Sequence, residues 1–589
     1  MKNKSSYKRI HKDNKKAKQF LISNNLLAIP SDKTNRMVVC DKSQFIGRVE
    51  NILKDSSTYK LLSVSKCSKI EKQANKLIKA RCKSTYIDSD KLIAMGSRPA
   101  KFFCSIKDHK ERSEEGFPLR PIASSINTPT EKVDWLTSRL LNKLIQFVPA
   151  NISSSLQLIE KLENINLPDE KMTFISLDVK QLYSSIPLQH GITTVMNFIS
   201  QYWMNISNYG FTLKDVEDFL KFVIYNYEIN YNNKTYLQIN GCPMGSHFAP
   251  AFAILYMNFI EKTALDILRN KHKISPLVFY RYIDDIIIGP FNKSTTNFEV
   301  ILDVFNSVNS AIQFTVEIPD NGILNFLDLS IAVCNRKVQY RWYCKEQHSN
   351  ITLSHGSWVP SHVKSNFIRS SFKNIKDRCS DNDMYHECSK TLINRLQNNG
   401  YTSVEKYASY DSRNRKDQRN DMLASLNIDF ISDSCTRKLR SIARKYDVPV
   451  RITCKPGKSI GNFMNTDTFR NNSDCNCSIC DVLSDKYSFK SRYVVYSFKC
   501  KICNDSYVGS TNRTFSARYA EHERSIRYGD MKSALSQHIR SKHNNVAMTI
   551  KDFYVEIIDH QNNPVRTRIS EANFIDFLKP TLNRKHEQH

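Results

Sequence analysis

Arg281-Tyr282-Ile283-Asp284-Asp285-Ile286-Ile287-Ile288-Gly289 sets two adjacent carboxylates between apolar segments that carry β-branched residues. Two short strands joined by a tight hairpin would expose both acids at the turn. Burying neighbouring acids is costly unless a cation compensates, so the pattern suits a divalent metal better than structure. A further acid that could share that cation lies upstream, at Asp178 in Phe174-Ile175-Ser176-Leu177-Asp178-Val179. Together Asp178, Asp284 and Asp285 read as a nucleotidyl-transfer site.

At 589 residues the chain exceeds a single core, so two or more domains are expected. It has 86 basic and 58 acidic residues, a formal charge of +28. Such a surface attracts a polyanion, with nucleic acid the leading partner and a ribosomal or membrane surface the alternatives. No secretory signal and no apolar run of about 18 residues occurs, which speaks against membrane and secreted readings. Of sixteen cysteines, six fall between Cys454 and Cys503, a pattern of local metal binding in a reducing compartment rather than a disulfide framework. The basic run Lys8 to Lys18 is a solvated tail, a nuclear address or an RNA-contacting arm.

The segment 35–145 mixes short strands with basic helices, and its basic groups beside apolar strands, Lys107 and Arg120 among them, suit a triphosphate. In 146–335 the reading is α+β: the Asp178 strand, a loop through Gly241 to Gly245, an apolar helix from about Pro250 to Leu268, then the Asp284 hairpin. Helical patterns dominate 336–445, where Lys345, His348, Trp358, His362, Lys364 and Arg369 are available to a nucleic-acid backbone. Turn formers and few apolar groups mark a linker in 446–490. A compact α/β unit follows in 491–589, opening on the strand Tyr493-Val494-Val495-Tyr496 and closing on a helix from Ile569 to Leu578.

Asp178, Asp284 and Asp285 could hold two magnesium ions about 4 Å apart, one acting on a primer hydroxyl and the other on leaving pyrophosphate. Tyr183 follows Asp178 by five residues, where its ring could lie under the incoming sugar and clash with a 2′-hydroxyl. Gly245, in Gly241-Cys242-Pro243-Met244-Gly245-Ser246, permits close backbone approach. This order of features resembles a reverse transcriptase. Within that class it is similar to Penelope-like retroelement proteins, relatives of telomerase, in Asp41-Lys42-Ser43, Lys107-Asp108-His109-Lys110, Met244-Gly245-Ser246 with Ala249-Pro250, Asn325-Phe326-Leu327-Asp328 and Asn399-Gly400-Tyr401. The resemblance implies that Arg120 and Lys107 contact the triphosphate. His247 departs from it, standing where a proline commonly follows the Gly-Ser.

In the last segment, Tyr496 and Tyr507-Val508-Gly509 have the spacing of a hairpin, Arg518 and His522 share a helical face, and Glu571 falls on a later helix. This resembles a GIY-YIG endonuclease with Val494-Val495-Tyr496 in place of the first triplet. The resemblance implies one divalent ion on Glu571, a hairpin tyrosine assisting water, Arg518 neutralising charge, His522 positioning a tyrosine or water, and Asn583 packing the core. Cys500 and Cys503 with His538 and His543 can complete a tetrahedral zinc site that staples this fold. Cys475, Cys477 and Cys480 either form a second zinc site with Cys454 or another ligand, or are free thiols.

The expected fold is multidomain α+β: a basic tail in 1–34, then a right-hand polymerase with fingers in 35–145, palm in 146–335 and helical thumb in 336–445, a linker in 446–490, and a small α/β GIY-YIG nuclease with a zinc insertion in 491–589. The expected function is target-primed reverse transcription by a nuclear retrotransposon enzyme. Its partners are element RNA, target DNA and dNTPs, with no membrane, and a homodimer is compatible with second-strand cleavage. The competing readings are a telomerase-like enzyme that extends ends without cutting, and a nucleic-acid-binding protein with neither activity.

Overall fold

The computed structural model describes residue 13 and residues 16–34, 36–108, 110–114, 116–163, 165, 167, 172–292, 294–345, 352–407, 424–448, 450–455, 491–530, 533–543, 548–561 and 563–583. Two compact units are present. One comprises Met1–Lys66, Gln73–Leu92 and Pro99–Phe469, and the other Cys67–Lys72, Ile93–Arg98 and Arg470–His589.

In the larger unit a four-stranded antiparallel sheet runs in the order Phe314–Glu317, Met172–Val179, Asp285–Asn292, Val278–Tyr282. Strands with a neighbour on either side and cover on both faces lose the apolar/polar alternation. Ile286, Ile287 and Ile288 are accordingly all fully buried, and the buried run Thr173–Val179 is interrupted only at Asp178. The apolar helix spans Ala249–His272, longer than Pro250 to Leu268, and is buried without a break from Ala251 to Met257. Its extra turn carries Arg269, Lys271 and His272, cations that favour the negative end of a helix dipole.

A five-stranded sheet orders Tyr59–Leu62, Lys234–Gln238, Glu228–Tyr231, Ala100–Ile106 and Leu119–Ser124. Residues 228–238, which sequence order groups with the Asp178 strand, therefore join the fingers segment instead. The reason is a shared core: Tyr227, Ile229 and Tyr236 pack with Phe102 and Cys104. Leu26–Pro30 is a strand paired with Met37–Asp41, which corrects the reading of 1–34 as tail throughout. Leu27, Ala28 and Ile29 are buried and supply the reason. Asp41 caps the helix Lys42–Leu53 by accepting from the Gln44 N–H.

Helices Ser361–Lys376, Asn382–Asn398 and Asp433–Lys445 occupy much of the segment expected to be helical. Lys337–Trp342 and Ala424–Asp429 within it are strands, a second correction. Val338 and Tyr340 are buried at a spacing of two, the period of a strand, as the third member of a meander with Leu324–Phe326 and Leu329–Cys334.

The smaller unit is built on an antiparallel sheet ordered Ser506–Thr511, Val494–Cys500, Phe553–His560. Val494, Tyr496, Phe498 and Cys500 pack on one face with Phe515 and Leu535, from the helices Phe515–Tyr528 and Ala534–Lys542. Val495 points the other way, to Val508 and to Ile575 of the helix Pro564–Leu578. No described helix is long and apolar enough to cross a membrane.

Candidate functional site

Asp285 is the direct cross-strand partner of Asp178, and the Val179 N–H donates to the Asp284 carbonyl at 3.3 Å. Direct partners on an antiparallel pair project to the same face with β-carbons about 4.5–5.5 Å apart, so strand pairing alone brings these carboxylates together. Tyr282 and Asp285 close the turn of the hairpin, leaving Ile283 in the left-handed region at φ 58°. A β-branched residue resists that conformation. It is held there by Arg281, fully buried, which donates to the Ile283 carbonyl at 3.1 Å, to the Ile254 carbonyl at 3.1 Å, and to the Glu261 carboxylate of the long helix.

Burial, with Asp284 and Asp178 close by, pushes the Asp285 carboxyl up to about 6. Asp178 is raised by partial burial and by Asp284. Lys33 and Lys345 draw both acids back down, and Lys110 does so for Asp178. The acids crowd one another despite these lysines, and their hard oxygen donors match magnesium.

Tyr183 is half-buried in a short helical turn, Leu182–Ser185, and its carbonyl accepts the Cys242 N–H at 2.6 Å. Burial and Asp284 push its phenol up to about 12, so the ring is neutral. Gly245, at φ 118°, lies against the Ala123 backbone: a Cβ there would stand 2.4 Å from the Ala123 carbonyl oxygen. The loop then enters the long helix through Asp134, a fully buried carboxylate that accepts the His247 and Phe248 N–H groups, each at 2.8 Å. Proline at 247 has no N–H to donate, so this contact accounts for the departure at His247.

Lys107 and Arg120 lie on the neighbouring five-stranded sheet and its following turn. Burial first, and then Arg120, lower the Lys107 pKa, which places the two cations close together. Sequence reasoning gave no role to Arg281, Glu261 or Asp134. Arg281 sat within the quoted motif, but a charged residue in a strand reads as solvent-facing unless its remote partner is known. Lys345 acts electrostatically on Asp178 and Asp285, whereas His348 lies outside the described residues.

In the smaller unit Tyr496 pairs with Gly509 across the hairpin. The Arg518 Nε–H donates to the Tyr496 hydroxyl oxygen at 2.9 Å, and that hydroxyl is 2.9 Å from His522 Nε2. Burial and Arg518 push the His522 pKa down to about 3, so the imidazole is neutral. Arginine can only donate, so the Tyr496 hydroxyl oxygen accepts from Arg518 and shares a hydrogen bond with His522 Nε2. Any Cβ at residue 509 would stand 2.8–2.9 Å from the Tyr496 hydroxyl and the Tyr507 ring and hydroxyl, which is why glycine sits between the tyrosines. Glu571 accepts from the Ser510 hydroxyl at 2.7 Å. Glu521 gathers Arg518 at 3.0 Å and Arg513 at 2.5 Å. Ser510, Glu521 and Arg513 carried no signal in the sequence beyond their place beside these motifs. Asn583 acts as a backbone mimic, accepting from the Val508 N–H at 2.9 Å and donating to its carbonyl at 2.8 Å.

Cys500, Cys503, His538 and His543 offer one ligand atom each, all within 4.8 Å of one another. Two thiols and two imidazoles at these separations fit a tetrahedral zinc ion. Asp505 stands behind them, its carboxylate 3.7 Å from His538 Nδ1, which leaves Nε2 to face the ligand cluster. Cys475, Cys477 and Cys480 lie outside the described residues.

No curated protein matches the chain. Among solved structures it is similar to telomerase from Candida albicans in complex with a fragment of telomeric RNA, at 10% identity and TM-score 0.41, covering 66% of this chain and 64% of that one. It is also similar to apo telomerase from Candida tropicalis, at 10% identity and TM-score 0.32, covering 55% of this chain and 60% of that one. For the RNA-dependent RNA polymerase of a human picobirnavirus the values are 10% and 0.39, covering 69% and 83%. The chain thus spans less than two thirds of these telomerase chains. Residues 119–317, which hold Arg120, Asp178, Tyr183, Gly245, Asp284 and Asp285, match the family model described as reverse transcriptase (RNA-dependent DNA polymerase), and this segment is a reverse transcriptase domain.

Proposed function

We propose that the chain is a retroelement enzyme of the Penelope-like type that copies element RNA into DNA from a primer terminus made by its own GIY-YIG nuclease. The observation that carries the polymerase half is the strand register that sets Asp285 opposite Asp178 with Asp284 beside them. Magnesium held by these three carboxylates would supply the positive charge that a primer hydroxyl and a departing pyrophosphate need. Lys107 and Arg120 hold the triphosphate, and Tyr183 screens its sugar. Nucleophilic attack joins the primer 3′-oxygen to the α-phosphorus and releases pyrophosphate.

The nuclease half is supported by the Arg518–Tyr496–His522 network and by Glu571 on a separate helix. Glu571 would hold a divalent ion that polarises the scissile phosphate. His522, neutral and hydrogen-bonded to the Tyr496 hydroxyl, positions that tyrosine, and Arg518 balances the charge that develops as water attacks. Tyr496 is fully buried, so Tyr507, 9% exposed and close to it at Gly509, is the tyrosine that meets water. Zinc on Cys500, Cys503, His538 and His543 staples this unit. Its DNA target would be chromosomal, hence a nuclear site of action.

Supercoiled plasmid, element RNA and labelled dNTPs test the reading. Label joined covalently to nicked plasmid is expected. Asp284→Ala should abolish incorporation and leave nicking, while Glu571→Ala should abolish nicking and leave extension of a pre-nicked primer. Label confined to added oligonucleotide, with plasmid uncut by the wild-type chain, would favour an end-extending enzyme instead.

A further inference from the structure

The turn Ser31-Asp32-Lys33-Thr34 lies outside the matched reverse transcriptase segment, yet it is docked on the strand that runs into Lys107 and against Arg120. Four contacts fix it. The Asp32 N–H donates to the Ile106 carbonyl at 2.9 Å, and Ser31 bridges to Ile106. The Thr34 hydroxyl, 4% exposed, donates to Asp108 at 2.5 Å. The Asp32 carboxylate lies 3.1 Å from Arg120 Nε.

The turn therefore presents Lys33 in a defined place. Lys33 is exposed, and its ammonium has no ion-pair partner among the described residues. Its charge reaches Asp178, Asp285 and Lys107, and the charge of Arg120 reaches Lys107 and Tyr183. Lys33 is thus set near Lys107 and Arg120 by the turn's contacts to Ile106 and Arg120. A nucleoside triphosphate carries its negative charge in a compact chain that several cations can share, and a lysine serves it as a point charge.

On the polymerase reading above, we infer that this turn completes the nucleotide site: Lys33 contacts the triphosphate of the incoming nucleotide, and Asp32 is a positioning residue that aims Arg120 at it. An RNA template backbone is the other polyanion that could meet Lys33. The triphosphate is favoured because the turn carrying Lys33 is fixed against Ile106, next to Lys107, and against Arg120, the two cations that hold the triphosphate on that reading.

The full-length protein with magnesium, an RNA template and an annealed DNA primer tests this by single-nucleotide incorporation across a range of dNTP concentrations. Lys33→Ala should raise the KM for dNTP by about tenfold, leave template–primer affinity unchanged in a gel shift, and be largely rescued by Lys33→Arg. Asp32→Asn should raise the same KM, and the double variant Asp32→Asn/Arg120→Ala should be no worse than Arg120→Ala alone. Circular dichroism melts check that each variant folds. An unchanged KM in Lys33→Ala, or a loss of template–primer binding that accounts for its defect, overturns the assignment while leaving the polymerase reading intact. A wild-type chain that incorporates nothing overturns both.

Discussion

Arg281 and Glu261 form an ion pair that is almost wholly sealed from solvent, with side-chain exposures of 0% and 3%. The pair joins the long helix to the strand that ends in the Ile283–Asp284 turn, and the same guanidinium also holds the Ile283 carbonyl. Burial pushes the Glu261 pKa up while Arg281 pulls it down, so the carboxylate depends on this one partner to remain charged.

Arg281→Met should therefore be strongly destabilising, by about 3–5 kcal/mol, because it strands a buried carboxylate. Adding Glu261→Leu to it should recover much of that loss, since a pair replaced by apolar groups of similar volume is often tolerated. Urea unfolding of the three proteins measures both effects. DNA synthesis should stay low in the stable double variant, because the Ile283 carbonyl has still lost its donor. Full recovery of synthesis would mean that the turn needs no such support.

The three acids, the glycine loop and the tyrosine hairpin with Arg518 and His522 were legible because each is short, local and unusual in its setting. Asp178 stood out as the one charge in an apolar run, and Asp284-Asp285 as two charges at a hairpin tip. What joins such motifs was not legible. Asp134 lies 113 residues from the His247 N–H that it accepts, and no local spacing reports such a pairing. Pro30-Ser31-Asp32-Lys33 has the composition of an ordinary surface turn, and only the contacts to Ile106, Asp108 and Arg120 give it a place. The strands at 228–238 were misgrouped for the same reason, since a sheet partner more than a hundred residues away leaves no mark on periodicity.

Tyr183 is positioned by backbone rather than by its own hydroxyl, through the bond from Cys242 to its carbonyl. Truncating the ring should leave that bond in place and remove only bulk beneath the sugar. Tyr183→Ala is expected to raise ribonucleotide incorporation relative to deoxynucleotide by at least about tenfold, the scale on which steric fit discriminates. Competing rNTP and dNTP extension on one template reads the ratio. An unaltered ratio would remove Tyr183 from sugar selection.

His522 is held neutral by burial and by Arg518, its pKa lowered from 6.5 to about 3. Between those values the unfolded chain binds a proton that the folded chain does not, so stability falls as pH drops below about 6.5 and the contribution is fully present above it. Near pH 5 the loss amounts to about 2 kcal/mol. His522→Gln keeps a hydrogen-bonding group beside Tyr496 but cannot titrate. Denaturation of wild type and variant at pH 7.5 and pH 5 should show a smaller pH penalty for the variant. Equal penalties would show that His522 is protonated in the folded protein.

The cysteine and histidine ligands come from the end of one strand, the turn after it, and the Ala534–Lys542 helix with its C-cap. An ion bound by these four residues would close a loop of more than thirty residues between Cys503 and His538. On the proposed reading, Cys503→Ser should lower zinc content by one equivalent per chain and reduce the melting temperature of the smaller unit. It should abolish plasmid nicking while sparing extension of an annealed primer, because Asp178, Asp284 and Asp285 belong to the other compact unit. Metal analysis alongside the two activity assays checks this. Zinc retained at wild-type levels, or synthesis lost together with nicking, would mean that this cluster does something other than staple the smaller unit.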